Sequence, residues 1–314
     1  MARTCGILGA TLAALVLLAA MFPLKAIPQS AIPDLPGALI LDGCPVVSPW
    51  PTLSTFAIYG IDSGSGDHNV HAVVTRCQAD FEAIQVQTPD GNGGFCSPAI
   101  YTYPGCQPGN NRNPNYPGVG NNNCTNPNCN TTPESADIFH APALLSTTTQ
   151  PFLATCGGLE ALVQFVEYNA DYTYPGGTTD IPTPGDGSNL NPLLWSRVIN
   201  VINGDAELSQ ADFGIPGAGI ILVKGDLALT GYPTYNGLLL VVGSGNVTIS
   251  GGGSGTVNGA IVLANTSTCT GPTDSPGPIS FSHSGGGTFV LNYNSDAVNP
   301  ALEAKRRRGQ VTSE

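Results

Sequence analysis

Val201-Ile-Asn-Gly-Asp-Ala-Glu-Leu-Ser209, Leu222-Val-Lys-Gly-Asp-Leu-Ala-Leu-Thr-Gly231 and Val242-Gly-Ser-Gly-Asn-Val-Thr-Ile-Ser-Gly251 are three versions of one phrase. Their aligned glycines, Gly204, Gly225 and Gly245, lie 21 and 20 residues apart. Between them runs a second phrase, a glycine followed by an apolar run: Gly219-Ile-Ile-Leu-Val223, Gly237-Leu-Leu-Leu-Val-Val242 and Gly259-Ala-Ile-Val-Leu-Ala264. A period near 20 residues carrying two strand-like pieces is the pattern of stacked coils, each burying its apolar stripe on the next. Leu227 and Leu229, and again Val247 and Ile249, alternate with Ala228 and Thr248, as a strand with one buried face requires. The glycines are expected at the corners between strands, where the chain turns with φ values other residues resist.

Outward from the repeat, Pro278-Ile-Ser-Phe-Ser-His283 and Thr288-Phe-Val-Leu-Asn-Tyr293 are expected to cover its open end. On the N-terminal side, Leu159, Leu162, Val163 and Val166 fall at helical spacing on one face and predict one short α-helix. Residues 104–133 are Asn, Gly, Pro and Cys, a composition that builds no core and reads as a long surface loop. Ala38–Leu41 and Phe56–Ile61 each read as a short strand.

The expected architecture is therefore mainly β. A loop-rich, disulfide-bearing N-terminal region (27–156) leads to a short helix and linker (157–192). A parallel β-solenoid, β-helix-like, follows (193–300), and a basic tail (301–314) ends the chain. With 10% charged residues, 40 Gly and 27 Pro in 314 residues, a helical protein is a poor alternative.

Between positions 27 and 302, only Arg76, Arg112, Arg197 and Lys224 stand against twenty acidic residues. Such a body repels phosphate backbones, which argues against nucleic acid as a partner. At the other extreme, residues 1–26 carry Arg3, an uncharged run over 4–24 and Lys25. They read as a signal peptide or an N-terminal membrane anchor, and so place the protein outside the cytoplasm, at the surface, in the periplasm or beyond. Eight cysteines remain after Cys5: Cys44, Cys77, Cys96, Cys106, Cys124, Cys129, Cys156 and Cys269. An even number in an exported chain points to disulfides, with the pairing open. Cys124 and Cys129 lack a second ligand pair at zinc spacing, so no metal and no cofactor is expected.

Two clusters are candidates for chemistry. Asp67, His68 and His71 combine acid–base and metal-ligating groups on a stretch that reads as a polar loop. Asp205, Glu207 and Asp226 would stack along the coils, and paired carboxylates can share a proton or bind calcium. Asn246 replaces the acid in the third copy. That favours a turn role, with each Asp hydrogen-bonding its own corner. His140 and His283 stand isolated. No nucleophile elbow or phosphate loop is present.

Gly158-Leu-Glu-Ala-Leu-Val163, Tyr235-Asn-Gly-Leu-Leu-Leu-Val-Val-Gly243 and Ile249-Ser-Gly-Gly-Gly-Ser-Gly-Thr-Val-Asn-Gly-Ala260, with the Gly-Asp repeat, resemble the bacterial pilus-assembly PilX family. The likeness is to its large exported members with a glycine-rich C-terminal β-solenoid, and it spans 157–295. Leu35-Pro-Gly-Ala-Leu39 and Tyr59-Gly-Ile-Asp62 echo the preceding segments. The run 6–24 lacks the basic leader of type IV pilins and the glutamate they carry at the fifth mature position, and Ala304-Lys-Arg-Arg-Arg308 stands where an apolar final strand is expected by analogy.

The resemblance implies a non-catalytic cell-surface structural protein. Its partners would be other pilus or envelope proteins or further copies of itself. A polysaccharide-active β-helix enzyme, or an adhesin using the 104–133 loop, are the alternatives.

Overall fold

The computed structural model describes residues 35–46, 56–60, 62–63, 70–77, 79–80, 99–101, 138–140, 152–177, 198–209, 217–231 and 233–298. Among these, the N-terminal part contributes β1 (Gly37–Asp42), β2 (Phe56–Tyr59), β3 (His71–Thr75), β4 (Ala99–Tyr101) and β5 (Ile138–His140). The helix α1 (Cys156–Tyr168) and β6 (Tyr172–Pro175) follow. The repeat region supplies β7 (Ile199–Asn203), β8 (Ala206–Ser209), β9 (Gly217–Val223), β10 (Leu227–Thr230), β11 (Thr234–Val241) and β12 (Asn246–Gly251). The last strands are β13 (Ser254–Ala264), β14 (Ser280–Gly285) and β15 (Thr288–Asn292).

The protein is mainly β, and its strands pair in parallel. From β7 to β15, odd strands enter an eleven-stranded sheet and even strands a four-stranded one, ordered β14-β12-β10-β8. The repeat of the sequence is the register of this pairing. Leu227 stands opposite Ala206 on one side and Val247 on the other, while Gly237 stands between Gly219 and Gly259. Parallel strands need a long return connection, and here each return is a strand of the other sheet.

Burial follows the pattern. In the small sheet, Leu227, Leu229, Val247, Ile249 and Phe281 point inward, with Ala228, Thr230, Thr248, Ser250 and Ser282 outward. In the large sheet, Leu238–Val241 and Ala260–Ala264 are buried without interruption, because that strand has packed material on both faces.

The N-terminal strands are not a separate unit. Residues 254–258 of β13 pair with β15, whereas its residues 261–264 pair with β1. From this fork the large sheet continues as β15-β2-β4 along one branch and β1-β3-β5 along the other. Strand β1 lies between β13 and β3, and all six of its residues are buried. The sheet therefore crosses the boundary expected at residue 156. Of the last two strands, one lies at a sheet edge and the other inside a sheet. β14 extends the small sheet beside β12, and β15 is an interior strand between β13 and β2.

Helix α1 begins where Thr155 caps it, its side chain accepting from the Gly158 N–H at 3.2 Å. It buries Cys156, Leu159, Leu162, Val163 and Val166, the face its spacing predicts. It stops at Asn169, whose side-chain amide donates to the Phe165 carbonyl at 2.8 Å. Its first turn is held to the loop after β13 by the Cys156–Cys269 disulfide and by Cys156 and Gly157 N–H groups on the Asp274 and Pro272 carbonyls. A side chain at Gly157 would meet Pro272 at 2.8 Å, so this approach needs glycine.

The leader 1–26, the loop 104–133, the tail 301–314 and Cys96, Cys106, Cys124 and Cys129 lie outside the described residues. Among the described residues, no helix is long and apolar enough to cross a membrane.

Candidate functional site

The acids of the repeat come together as the stacking predicts, but they do not serve their own turns. Asp205 Oδ1 accepts from the backbone N–H of Asp226, its counterpart one repeat on, at 2.9 Å. Asp226 Oδ1 accepts from Asn246 Nδ2, the next counterpart, at 2.8 Å and from the Ser244 hydroxyl. The expected own-corner bond is thus replaced by a ladder between repeats. In-register stacking brings equivalent residues nearer to each other than to most of their own loop.

Glu207 projects from β8 beside this ladder into a shallow groove of about 350 Å³, with Gly177, Ala228 and Thr248 on its walls. No basic residue lines that groove among the described residues.

A second ladder runs along the large sheet. Asn258 Nδ2 donates to Asn236 Oδ1 at 2.9 Å, and Asn292 Nδ2 donates to Asn258 Oδ1 at 3.1 Å. Asn258 both gives and takes, so the column links three successive strands of the large sheet. The sequence reading missed it. Its signal was present, since Asn236 and Asn258 immediately precede Gly237 and Gly259 at the same offset.

The glycines divide into two kinds. Gly219, Gly237 and Gly259 lie within β9, β11 and β13, not between strands, with φ of +113°, +144° and +153°. A bend inside the strand, closely stacked on the one below, takes the place of the expected corner. Gly204 and Gly245 have positive φ between strands, whereas Gly225 does not. At Gly225 the demand is space, since a Cβ would fall 2.4 Å from Asp205 Oδ1.

A larger cleft of about 550 Å³ lies between α1 and the sheet, bordered by Glu160, Gln164, Val242, Thr266 and the Cys156–Cys269 disulfide. Lys224 Nζ and Glu167 Oε1 pair across it at 2.6 Å. Asp274 on its rim accepts from Thr270 Oγ1 and N and from Gly271 N, which holds its carboxyl below the usual range. The polar groups that border it have structural partners: Gln164 donates to Glu160, and Thr266 accepts from the Gly243 N–H.

Among the described residues the most buried acid is elsewhere. Asp42, at the end of β1 and fully buried, accepts from Arg76 Nε at 2.7 Å and from Arg76 Nη2. Nη2 also donates to the Leu153 carbonyl, just before α1. Burial pushes the Asp42 carboxyl up to about 7, against the opposing pull of Arg76. Its Oδ2 has no hydrogen-bond partner among the described residues, which suits a carboxyl that holds its proton.

Of the histidine cluster, His71 is half-buried at the start of β3; Asp67, His68 and the His140 side chain lie outside the described residues. His283 is buried on the inner face of β14, 6.4 Å from the Phe289 ring, and burial lowers its pKa. Because the folded chain resists a proton that the unfolded chain accepts, stability is lost as pH falls below about 6.5. Thermal unfolding at pH 7 and pH 5 should show a smaller acid-side drop in His283→Leu than in the parent. An equal drop in both would remove His283 as its cause.

Among the described residues two cysteine pairs are joined: Cys44–Cys77, with Cα atoms 5.7 Å apart, and Cys156–Cys269, 5.9 Å apart. Compared with known proteins, the chain matches no family model, no curated protein and no solved structure.

Proposed function

We propose that this chain is an exported, non-catalytic structural protein of the bacterial surface, of the pilus-assembly kind its repeat resembles. In the same reading, the two parallel sheets are successive faces of a β-solenoid. The observation that carries it is the use made of the acids. Asp205 and Asp226, the residues best placed for paired-carboxylate chemistry, accept hydrogen bonds that tie one repeat to the next. These bonds occupy Oδ1 of each acid in holding neighbouring repeats together, the use a scaffold makes of a carboxylate. The disulfides support export, because such bonds persist in oxidising compartments.

The outer face of the small sheet suits contact with a partner or a second copy. Ser209, Thr230, Thr248, Ser250, Ser282 and Ser284 present a flat surface of small hydroxyl groups.

The test is cell fractionation with and without the gene. The protein should sediment with sheared surface filaments, and its deletion should lower piliation. Recovery only from the medium, with normal pili in the deletion strain, would overturn the proposal. Asp226→Asn separates this reading from a polysaccharide-active enzyme. The amide oxygen still accepts from Asn246, so stability should change by less than about 1 kcal/mol and surface assembly should persist. Turnover of an acidic polysaccharide by the parent, lost in Asp226→Asn, would establish the enzyme instead.

A further inference from the structure

Next to the Cys44–Cys77 bond lies a buried acid that the fold does not fully use. Asp80 is 4% exposed, and its Oδ1 accepts from the Val46 N–H at 2.9 Å. Its Oδ2 is buried and has no hydrogen-bond partner among the described residues. A carboxylate oxygen of Asp80 and the sulfurs of Cys44 and Cys77 all lie within 4.8 Å of one another. It is the one such group of three metal-ligating side chains among the described residues. The two cysteines are half-buried, so solvent and small reagents reach the pair.

We propose that Cys44, Cys77 and Asp80 form a redox-gated site for a thiophilic divalent cation, shut while the disulfide is closed and opened by reduction. A dithiol reductant transfers two electrons to the S–S bond and closes into its own disulfide. Its two protons end on the Cys44 and Cys77 sulfurs. A divalent cation then displaces those two protons into water and is held by the two thiolates and the Asp80 carboxylate.

Tetrahedral zinc sets sulfur and oxygen ligands at about 2.0–2.3 Å, which places them roughly 3.3–3.8 Å from one another. The three atoms are within reach of that spacing once the S–S bond opens. Three protein ligands leave one position for water, and thiolates select zinc-like ions over calcium or magnesium. Three anions in a half-buried site repel one another, and a bound divalent cation offsets that repulsion.

The experiment titrates Co²⁺ into the full chain under anaerobic conditions, before and after reduction by a phosphine, and follows the thiolate-to-cobalt charge-transfer absorption. One equivalent should bind the reduced parent, and none the oxidised protein. Asp80→Asn keeps its acceptor for Val46 and its disulfide, and should weaken Co²⁺ binding roughly tenfold or more. Cys44→Ser should abolish it, while the Cys156→Ser/Cys269→Ser double variant should retain it. Thermal unfolding supplies the second measurement: Zn²⁺ should raise the midpoint of the reduced parent and leave that of reduced Asp80→Asn unchanged. Binding undiminished in Asp80→Asn, or persisting in Cys44→Ser, would overturn the site. So would a reduced parent that Zn²⁺ neither stabilises nor refolds.

Discussion

Gly237→Ala is expected to abolish soluble folded protein. A Cβ on Gly237 would sit 1.9 Å from the carbonyl oxygen of Gly219 in the strand below. That oxygen belongs to the backbone of β9, paired in parallel with β11, so no side-chain rotation relieves the contact. The next rung is equally tight, with a Cβ on Gly259 lying 1.9 Å from the Gly237 oxygen. To this is added a φ of +144° that L-residues rarely adopt, worth about 1–3 kcal/mol by itself.

The clash and the strain together cost on the order of 4 kcal/mol or more. That is a large part of the roughly 5–15 kcal/mol available to a domain. Gly252→Ala is the control, because a Cβ there meets nothing within 4 Å and its φ is not positive. Soluble yield and thermal unfolding of the two variants decide the matter. A Gly237→Ala protein that melts with the parent would mean that the stacked glycines are not a packing requirement.

The second large effect is expected at the Asp42–Arg76 pair, and it should depend on pH. Arg76→Met keeps most of the side-chain volume but strands the buried carboxyl. At pH 8 the parent carries an ion pair, and losing one partner of a buried pair costs about 3–5 kcal/mol. At pH 5, below the raised Asp42 value of about 7, the carboxyl is already protonated, so little charge is abandoned. The cost there should fall to roughly 1–2 kcal/mol, that of the lost hydrogen bonds.

The parent's own dependence has the same origin. A carboxyl whose folded pKa is raised contributes stability that is complete below about pH 4 and lost as pH rises through about 7. This opposes the His283 effect, so the two are separable only by comparing variants. Denaturant unfolding of Arg76→Met at pH 5 and pH 8 is the measurement, and equal losses at both would refute a protonated Asp42. Asp42→Asn, isosteric and neutral, should be better tolerated than Asp42→Ala at either pH.

What was readable in the chain follows from periodicity. Offsets of 21 and 20 residues between the Gly-Asp phrases are the register that pairs Ala206, Leu227 and Val247. Alternation along 227–230 and 247–250 foretold which side chains face inward, because a strand has period two whatever it packs against. The helix face at 159–166 was equally legible, being local.

The acid ladder was half legible. Stacking of Asp205 and Asp226 follows from the period, yet the partner each one accepts from does not. That choice depends on whether its own turn or the next strand presents the nearer donor, a matter of a few tenths of an ångström. Within-strand bends at Gly219, Gly237 and Gly259 escaped for a similar reason. A sequence marks a glycine, but only the packed neighbour says whether it is there to turn or to let a backbone approach.

By itself, then, the sequence determined a mainly β chain, its parallel repeat and register, and the inner and outer faces of its strands, since these arise from spacing along one stretch. Tertiary structure alone decided that β1 and β2 enter the sheet beside β13 and β15. It also brought Asp42 to Arg76 and Asp80 to the Cys44–Cys77 pair. Those contacts join segments whose separation carries no period. They exist because β13 is longer than its neighbours, and its two halves leave two edges whose backbone groups had to be paired.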